Sequence, residues 1–372
     1  MTTAPPTTSA QPTGLFVRSD HLILGGGGLA VVLAALTHFV GGGAVLPFVC
    51  SAVAVTLLAS LVGRSVEQLG DRFGPGATGV LQSALGNLPE LFIALFALKA
   101  GLVAVVQAAL IGSILANLLL VLGLAFLVGG LKHGTQQLNS ERARGIIVLM
   151  VLSVAAMVVP SLAHYVHTPA AAHEKTLSLI VSVVLLTLFA LTLPASLRKE
   201  APAEGAQTQP REDVHQEAPR WPLWLAVGLL ALAALLAAFV SDWFVVALEP
   251  AMDTLHISDA FAGLVIVAIA GNAIENIVGV QLAAQNRSEY AFSIVINSPI
   301  QIALVLAPLL VILSSVFGFA ALTLVFPPML VVSVVIAVIL TAFITFDGES
   351  TWIEGAALIA VYAVIATSFW WG

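Results

Sequence analysis

The sequence predicts an all-α integral membrane protein of eleven transmembrane helices, one extra N-terminal helix followed by two inverted five-helix repeats. Three observations carry that prediction. Of 372 residues 59% are hydrophobic and only 9% charged, with a mean hydropathy of +1.06. One water-soluble core cannot hide so much apolar surface, so the bilayer is the solvent. The apolar residues also fall into eleven runs of spanning length, and the pattern around Glu90 recurs 185 positions later around Glu275.

Crossing ~30 Å of hydrocarbon takes about 20 helical residues. The runs begin near Leu22, Ala44, Gly74, Leu102, Ala143, Lys175, Trp221, Ile257, Ser288, Phe319 and Ser350. Residues 1–19, rich in Thr and Pro, lack the apolar segment and cleavage site of a signal peptide. They read as a disordered cytoplasmic tail, and 20–43 stays as the extra span. Residues 44–197 form the first five-helix repeat. Residues 198–220 mix both charges with Pro202, Pro210 and Pro219 and read as a cytoplasmic linker. Residues 221–372 form the second repeat.

Eleven of the thirteen Lys and Arg residues fall on the side of the N-terminus, leaving Lys99 and Lys175 opposite. By the positive-inside rule the N-terminus is cytoplasmic and the C-terminus external. All six tryptophans sit at predicted helix ends, where an indole can lie among headgroups. Cys50 stands alone in the second run and reads as a small buried hydrophobe.

The offset of 185 superimposes Gly86, Asn87 and Glu90 on Gly271, Asn272 and Glu275, and Ser113 on Ser298. The second copy arrives five spans later. An odd number of crossings inverts it, and inverted repeats place a shared site near the midplane. Glu90 and Glu275 are the acids deep within apolar runs. A carboxylate there costs ~3 kcal/mol on insertion scales, so such residues line cavities or pair with something. Asn87 and Asn272, three residues earlier, share each carboxylate's helical face if the helix continues. Pro89 releases a backbone carbonyl and Gly86 adds flexibility beside it. Ser113 and Asn117 lie on the next run, with Asn297, Ser298, Pro299 and Gln301 at the matching place in the second half. A hard cation such as calcium takes six to eight oxygen ligands, and this set supplies carboxylates, amides, hydroxyls and loosened carbonyls. For Ser113, Ser298 and Asn297 taken singly, helix packing is an equal reading.

The segments GNLPELFIALFALKAG from Gly86 and GSILANLLLVLG from Gly112 resemble the first signature repeat of the calcium/proton exchangers, within the cation/calcium exchanger superfamily. GNAIENIVGVQLAAQNRSEYA from Gly271 and SPIQIALVLAPLLV from Ser298 resemble the second. The resemblance implies ten core helices in two inverted halves plus an N-terminal span, exporting cytosolic Ca2+ against protons by alternating access. Ca2+ and H+ would be the transported ions, with no resident cofactor and no nucleic-acid partner. The compact chain suggests a prokaryotic plasma membrane. The family's repeat glutamates fall on Glu90 and Glu275, its repeat asparagines on Asn87 and Asn272, and its second-repeat serine and glutamine on Ser298 and Gln301.

Three positions depart from the pattern. Many relatives carry histidine after the second glutamate, where this chain has Asn276. They carry glycine before the second serine, where it has Asn297. Pro89 replaces a small residue, as in the sodium/calcium branch. An amide cannot titrate near neutrality, so the glutamates themselves would carry the protons. A sodium-coupled exchanger, or an antiporter for another divalent cation such as Mn2+, stays open on the same fold. A membrane enzyme would need a nucleophile with its base or a metal-binding acidic cluster, and neither is convincing in the sequence. A passive channel would not need the inverted carboxylate pair.

Overall fold

In the computed structural model, residues 15–73, 81, 85–138, 140–197 and 220–371 are described. Residues 1–14 of the expected tail, the expected helix start near Gly74 and nearly all of the linker lie outside them, and the tail's last residues are ordered, with Arg18 and Ser19 already in the first helix.

Long runs of Leu, Val and Ala meet their backbone hydrogen bonds internally only as helix, which is what hydrocarbon demands. Helix α1 (Arg18–Val40) packs on α2 (Val45–Phe73). Arg64 of α2 pairs with buried Asp20 at 3.1 Å and with Glu67 at 2.9 Å. Then come α3 (Leu88–Lys99) and α4 (Val103–Leu115), and α4 runs through a π-helical turn (Ala116–Val121) into α5 (Leu122–His133). Strand β1 (Gln136–Gln137) precedes α6 (Ser140–Tyr165), a 3-10 turn (Pro169–His173) and α7 (Glu174–Leu197).

The second half opens with α8 (Leu223–Leu255) and the short α9 (Asp259–Phe261). A π-helical turn (Ala262–Val267), α10 (Ala268–Gly271) and α11 (Ala273–Ala284) follow. The stretch Asp259–Gly271 and the stretch Asn276–Ala284 meet at a 61° bend. Helix α12 (Ser288–Gln301) passes through a third π-helical turn (Ile302–Leu306) into α13 (Ala307–Phe317), before α14 (Pro328–Ile344), β2 (Glu349–Ser350) and α15 (Trp352–Ser368). Strands β1 and β2 pair antiparallel.

The offset read in the sequence recurs at three helix starts around the motifs. Leu88 and Ala273, Val103 and Ser288, and Leu122 and Ala307 begin corresponding helices 185 positions apart, with π-helical turns at matching places.

Among the described residues seven helices are long and apolar enough to cross a membrane, and the bent pair makes an eighth. Their outward faces carry large apolar side chains such as Leu22, Phe39 and Leu191, each at least 70% exposed. In water such faces would drive aggregation, and in lipid they are solvated. The span Val103–His133 is the enclosed one, 78% buried against 17% for α1, so it forms the centre. There the halves touch backbone to backbone. A Cβ on Gly263 would lie 2.3 Å from the Val105 carbonyl oxygen, and one on Gly112 would lie 2.3 Å from that of Leu264.

Two expectations are corrected. The helix expected from Phe319 begins at Pro328. Residues 319–327 are non-helical although Leu322, Leu324 and Phe326 are buried. Gly318 ends α13 with a φ of +66°, and proline at 327 and 328 disfavours helix just before them. Buried backbone outside a helix needs partners, and neighbouring side chains supply them. Gln107 Nε2 donates to the carbonyls of Thr323 (3.2 Å) and Val325 (2.8 Å). Ser161 donates to the Leu324 carbonyl (2.9 Å) and accepts from Phe326 N–H (2.9 Å). Ser178 and Ser314 accept from the N–H groups of Leu324 and Leu322. Trp221, expected among headgroups, is 1% exposed and lies against Phe16.

Candidate functional site

Pro89 has no N–H to give, which costs nothing in the first turn of a helix. The sequence GNLPE therefore starts a helix rather than interrupting one. Asn87 precedes α3 with φ −92° and ψ 16°, and Asn272 precedes α11 with φ −99° and ψ 23°. The two motif asparagines thus share one local backbone, at helix starts rather than within helices. The continuous helix on which a shared face between each amide and its own carboxylate depended is therefore not present at Asn87 or Asn272. Glu90, in the first turn of α3, is 6% exposed and stands at the helix end where a negative charge is favoured.

The amide that reaches Glu90 comes from the other half. Asn272 Nδ2 donates to Glu90 Oε1 at 2.5 Å, to Ser113 Oγ at 2.8 Å and to the Ala268 carbonyl at 2.9 Å. Ser113 Oγ donates to the same Glu90 oxygen at 2.6 Å. On its other side, Asn272 Oδ1 accepts from Asn117 Nδ2 and Ser298 Oγ, both at 3.1 Å. Asn117 also lies 3.2 Å from Ser298 Oγ and donates to the Ser113 carbonyl at 2.9 Å. Glu90, Ser113, Asn117, Asn272 and Ser298 are all buried. The fit against Glu90 explains Gly271, where a Cβ would come within 2.3 Å of Glu90 Cγ.

The remaining candidates lie around this knot. Asn87 Nδ2 donates to Gln301 Oε1 at 3.3 Å. The amide oxygens of Asn117 and Asn276 are buried with no hydrogen-bond partner among the described residues, leaving acceptors of the kind a hard cation takes. Pro299 is buried within α12, one residue after Ser298. Asn297 is exposed and outside the network. The side chain of Glu275 lies outside the described residues. Sequence reasoning missed Thr56 of α2, whose hydroxyl lies 3.4 Å from the Ala270 carbonyl, beside Gly271. The repeat offset could have flagged it, because Ser241 stands at the matching position.

Such a cluster suits a desolvated cation or a proton: one carboxylate, two serine hydroxyls and amides from both halves, closed off from water. The sodium/calcium exchanger protein family model matches residues 43–197 and 225–371. This chain belongs to that family.

The exchanger is 35% identical over 350 residues to the Ca(2+)/H(+) antiporter of Synechocystis sp., covering 89% of this chain and 92% of that one. It is 36% identical over 327 residues to the Ca(2+)/H(+) antiporter ChaA of Bacillus subtilis, covering 87% and 91%. The native YfkE structure superimposes with a TM-score of 0.80 at 32% identity, over 94% of this chain and 99% of that one. These relatives put the exchanger in the calcium/proton branch of the family. The H+/Ca2+ exchanger CAX structure, at 18% identity and a TM-score of 0.70, shares the fold.

Proposed function

We propose that this chain is a secondary active calcium/proton antiporter that exports cytosolic Ca2+ by alternating access. The observation that carries the reading is the bond from Asn272 to Glu90, by which an amide of one half holds the carboxylate of the other. A site built across two halves opens to either side as the halves move relative to each other. Relatives named as Ca(2+)/H(+) antiporters, matched over nearly their whole length, support the same ion pair.

In this reading Glu90 and Glu275 hold Ca2+ together, helped by Asn272, Ser113, Asn117, Ser298, Asn87, Gln301 and the amide of Asn276. The two carboxylates take up Ca2+ or protons as a pair. Calcium between two carboxylates and protons on both are each nearly neutral. The empty charged site crosses poorly, and that penalty enforces exchange. The eight spans recognised by length, together with α3, α14 and α15, make up eleven, with the N-terminus cytoplasmic in a prokaryotic plasma membrane.

A sodium-coupled exchanger needs additional sodium ligands. The position matching Asn117 in the second half is Ile302, buried in a π-helical turn, which offers no side-chain oxygen and favours protons.

The test is calcium uptake into reconstituted vesicles under an imposed pH gradient, with and without sodium, alongside Glu90→Gln and Glu275→Gln. Uptake driven by the gradient alone, falling roughly 100-fold in both variants as expected for removing a coordinating charge, supports the reading. A sodium requirement assigns the chain to the sodium-coupled branch, and preference for Mn2+ over Ca2+ in competition changes the cargo. Full activity in either variant removes that glutamate from the mechanism.

A further inference from the structure

Thr56 of α2 and Ser241 of α8 occupy the same position in the two halves, 185 residues apart, yet their surroundings differ. Thr56 donates to the Ala270 carbonyl at 3.4 Å, two residues before Asn272. Ser241 is 0% exposed and its hydroxyl has no hydrogen-bond partner among the described residues. Burial supports the register of the two helices, since Val55 and Val240, Ala59 and Phe244, Val62 and Ala247, and Val66 and Ala251 are buried in matching pairs.

The packing is crossed in the same sense. Helix α2 of the first half packs against α10 and α11, which flank the second motif, while α8 of the second half packs against α3, which carries Glu90. The residue matching Ala270 in the first half is Leu85. Its carbonyl would ordinarily accept from the N–H four residues on, but that residue is Pro89, which has none. The first half therefore holds a carbonyl without its helical donor, and the helix packed on the first motif holds a buried hydroxyl without an acceptor.

We infer that Thr56 and Ser241 are an alternating pair of positioning residues that hold the two motifs in turn. In the state seen here Thr56 bonds Ala270 and Ser241 is idle. In the oppositely facing state Ser241 donates to the Leu85 carbonyl and Thr56 lets go of Ala270. Each state then has one satisfied and one idle hydroxyl, so the cost of a buried unpaired group is the same on both sides and the exchange stays balanced. Removing Thr56's hydroxyl weakens the present state. Removing Ser241's weakens the other. The inference rests on the alternating-access reading above.

The test is disulfide trapping in a Cys50→Ala background. The pair Thr56→Cys/Ala270→Cys reports the present state, and the pair Leu85→Cys/Ser241→Cys reports the opposite one. Both pairs are expected to cross-link during calcium turnover, blocking transport until reduced. Adding Ser241→Ala should raise the first pair's cross-linking rate roughly two- to tenfold, and adding Thr56→Val should raise the second pair's by a similar factor, the range one net hydrogen bond supports. The conservative changes Ser241→Thr and Thr56→Ser should leave the rates within about twofold, because the hydroxyl is kept. Size-exclusion profiles matching the parent establish that each variant folds. Failure of the Leu85/Ser241 pair to cross-link while the Thr56/Ala270 pair does so overturns the inference, as do rates that fall or stay unchanged in the two added backgrounds. Trapping does not depend on which ion is carried, so loss of the calcium/proton reading would appear separately, as absent uptake by the parent protein in vesicles.

Discussion

The two halves present nearly the same motif, GNLPE from Gly86 and GNAIE from Gly271, with nearly the same backbone at its asparagine. Their asparagines nevertheless do different work. Asn272 reaches across the halves to Glu90 and Ser113 and accepts from Asn117 and Ser298. Among the described residues Asn87 donates to Gln301 at 3.3 Å. The proposed alternation between two faces through one shared site needs the two halves to hold unequal partners within one state.

Asn272→Ala against Asn87→Ala tests the contrast most directly. Losing the Asn272 amide leaves buried Ser113 without a donor and Ser298 without an acceptor, and takes one donor from Glu90 and one acceptor from Asn117. Each orphaned group costs about 1–3 kcal/mol. Calcium uptake at subsaturating calcium is expected to fall roughly 30-fold or more in Asn272→Ala and about threefold in Asn87→Ala, taking 1.4 kcal/mol per tenfold. Equal losses would mean that Asn87 takes over the same bonds elsewhere in the cycle and that the inequality belongs to one state only.

The connectors differ as much as the motifs. In the first half the chain leaves α5 through a short link whose Gln136 pairs with Ser350 across β1 and β2. In the second half residues 319–327 are held by side chains of α4, α6, α7 and α13. Ser161→Ala removes two of those bonds and should cost about 2 kcal/mol. Ser153→Ala on the same helix loses only a bond to Leu149 of its own helix, with an expected cost of about 0.5 kcal/mol. Thermal unfolding in detergent, followed by tryptophan fluorescence, ranks the two. Equal shifts would show that this segment stands without Ser161.

How much was legible in the sequence follows from what hydropathy and spacing can carry. The repeat was legible because two acids in apolar runs at a fixed offset have few structural explanations. The connector was not, because FAALTLVF reads as membrane helix by composition. Its fate is set by Pro327, Pro328 and by Gln107, Ser161 and Ser178, which are distant in sequence. The cross-half bond was hidden for a related reason. Helical spacing identifies neighbours on one helix, and placing Asn272 beside Glu90 requires knowing how the halves pack. Trp221 misled because aromatic enrichment at interfaces is statistical, and this indole is covered by Phe16.

The smallest expected effect concerns Asn276, one of the two positions where the second half departs from the pattern it resembles. Asn276 follows Glu275, and its amide oxygen is buried without a partner among the described residues. An amide is an acceptor at every pH, so in the proposed mechanism the pH dependence of the wild type is left to the two glutamates. Asn276→His introduces a ring that gains charge on acidification, with an ordinary pKa near 6.5. Above that pH the neutral ring offers a nitrogen in place of the oxygen, and calcium uptake is expected to stay within about threefold of wild type. Below it the positive charge beside the site opposes calcium, so the apparent calcium affinity of the variant should fall more steeply with acidification than that of wild type. Uptake measured from pH 5.5 to 8 distinguishes the cases. A variant profile that parallels wild type throughout would put Asn276 outside the reach of the bound ion and leave the second half's contribution to Asn272, Ser298 and Glu275.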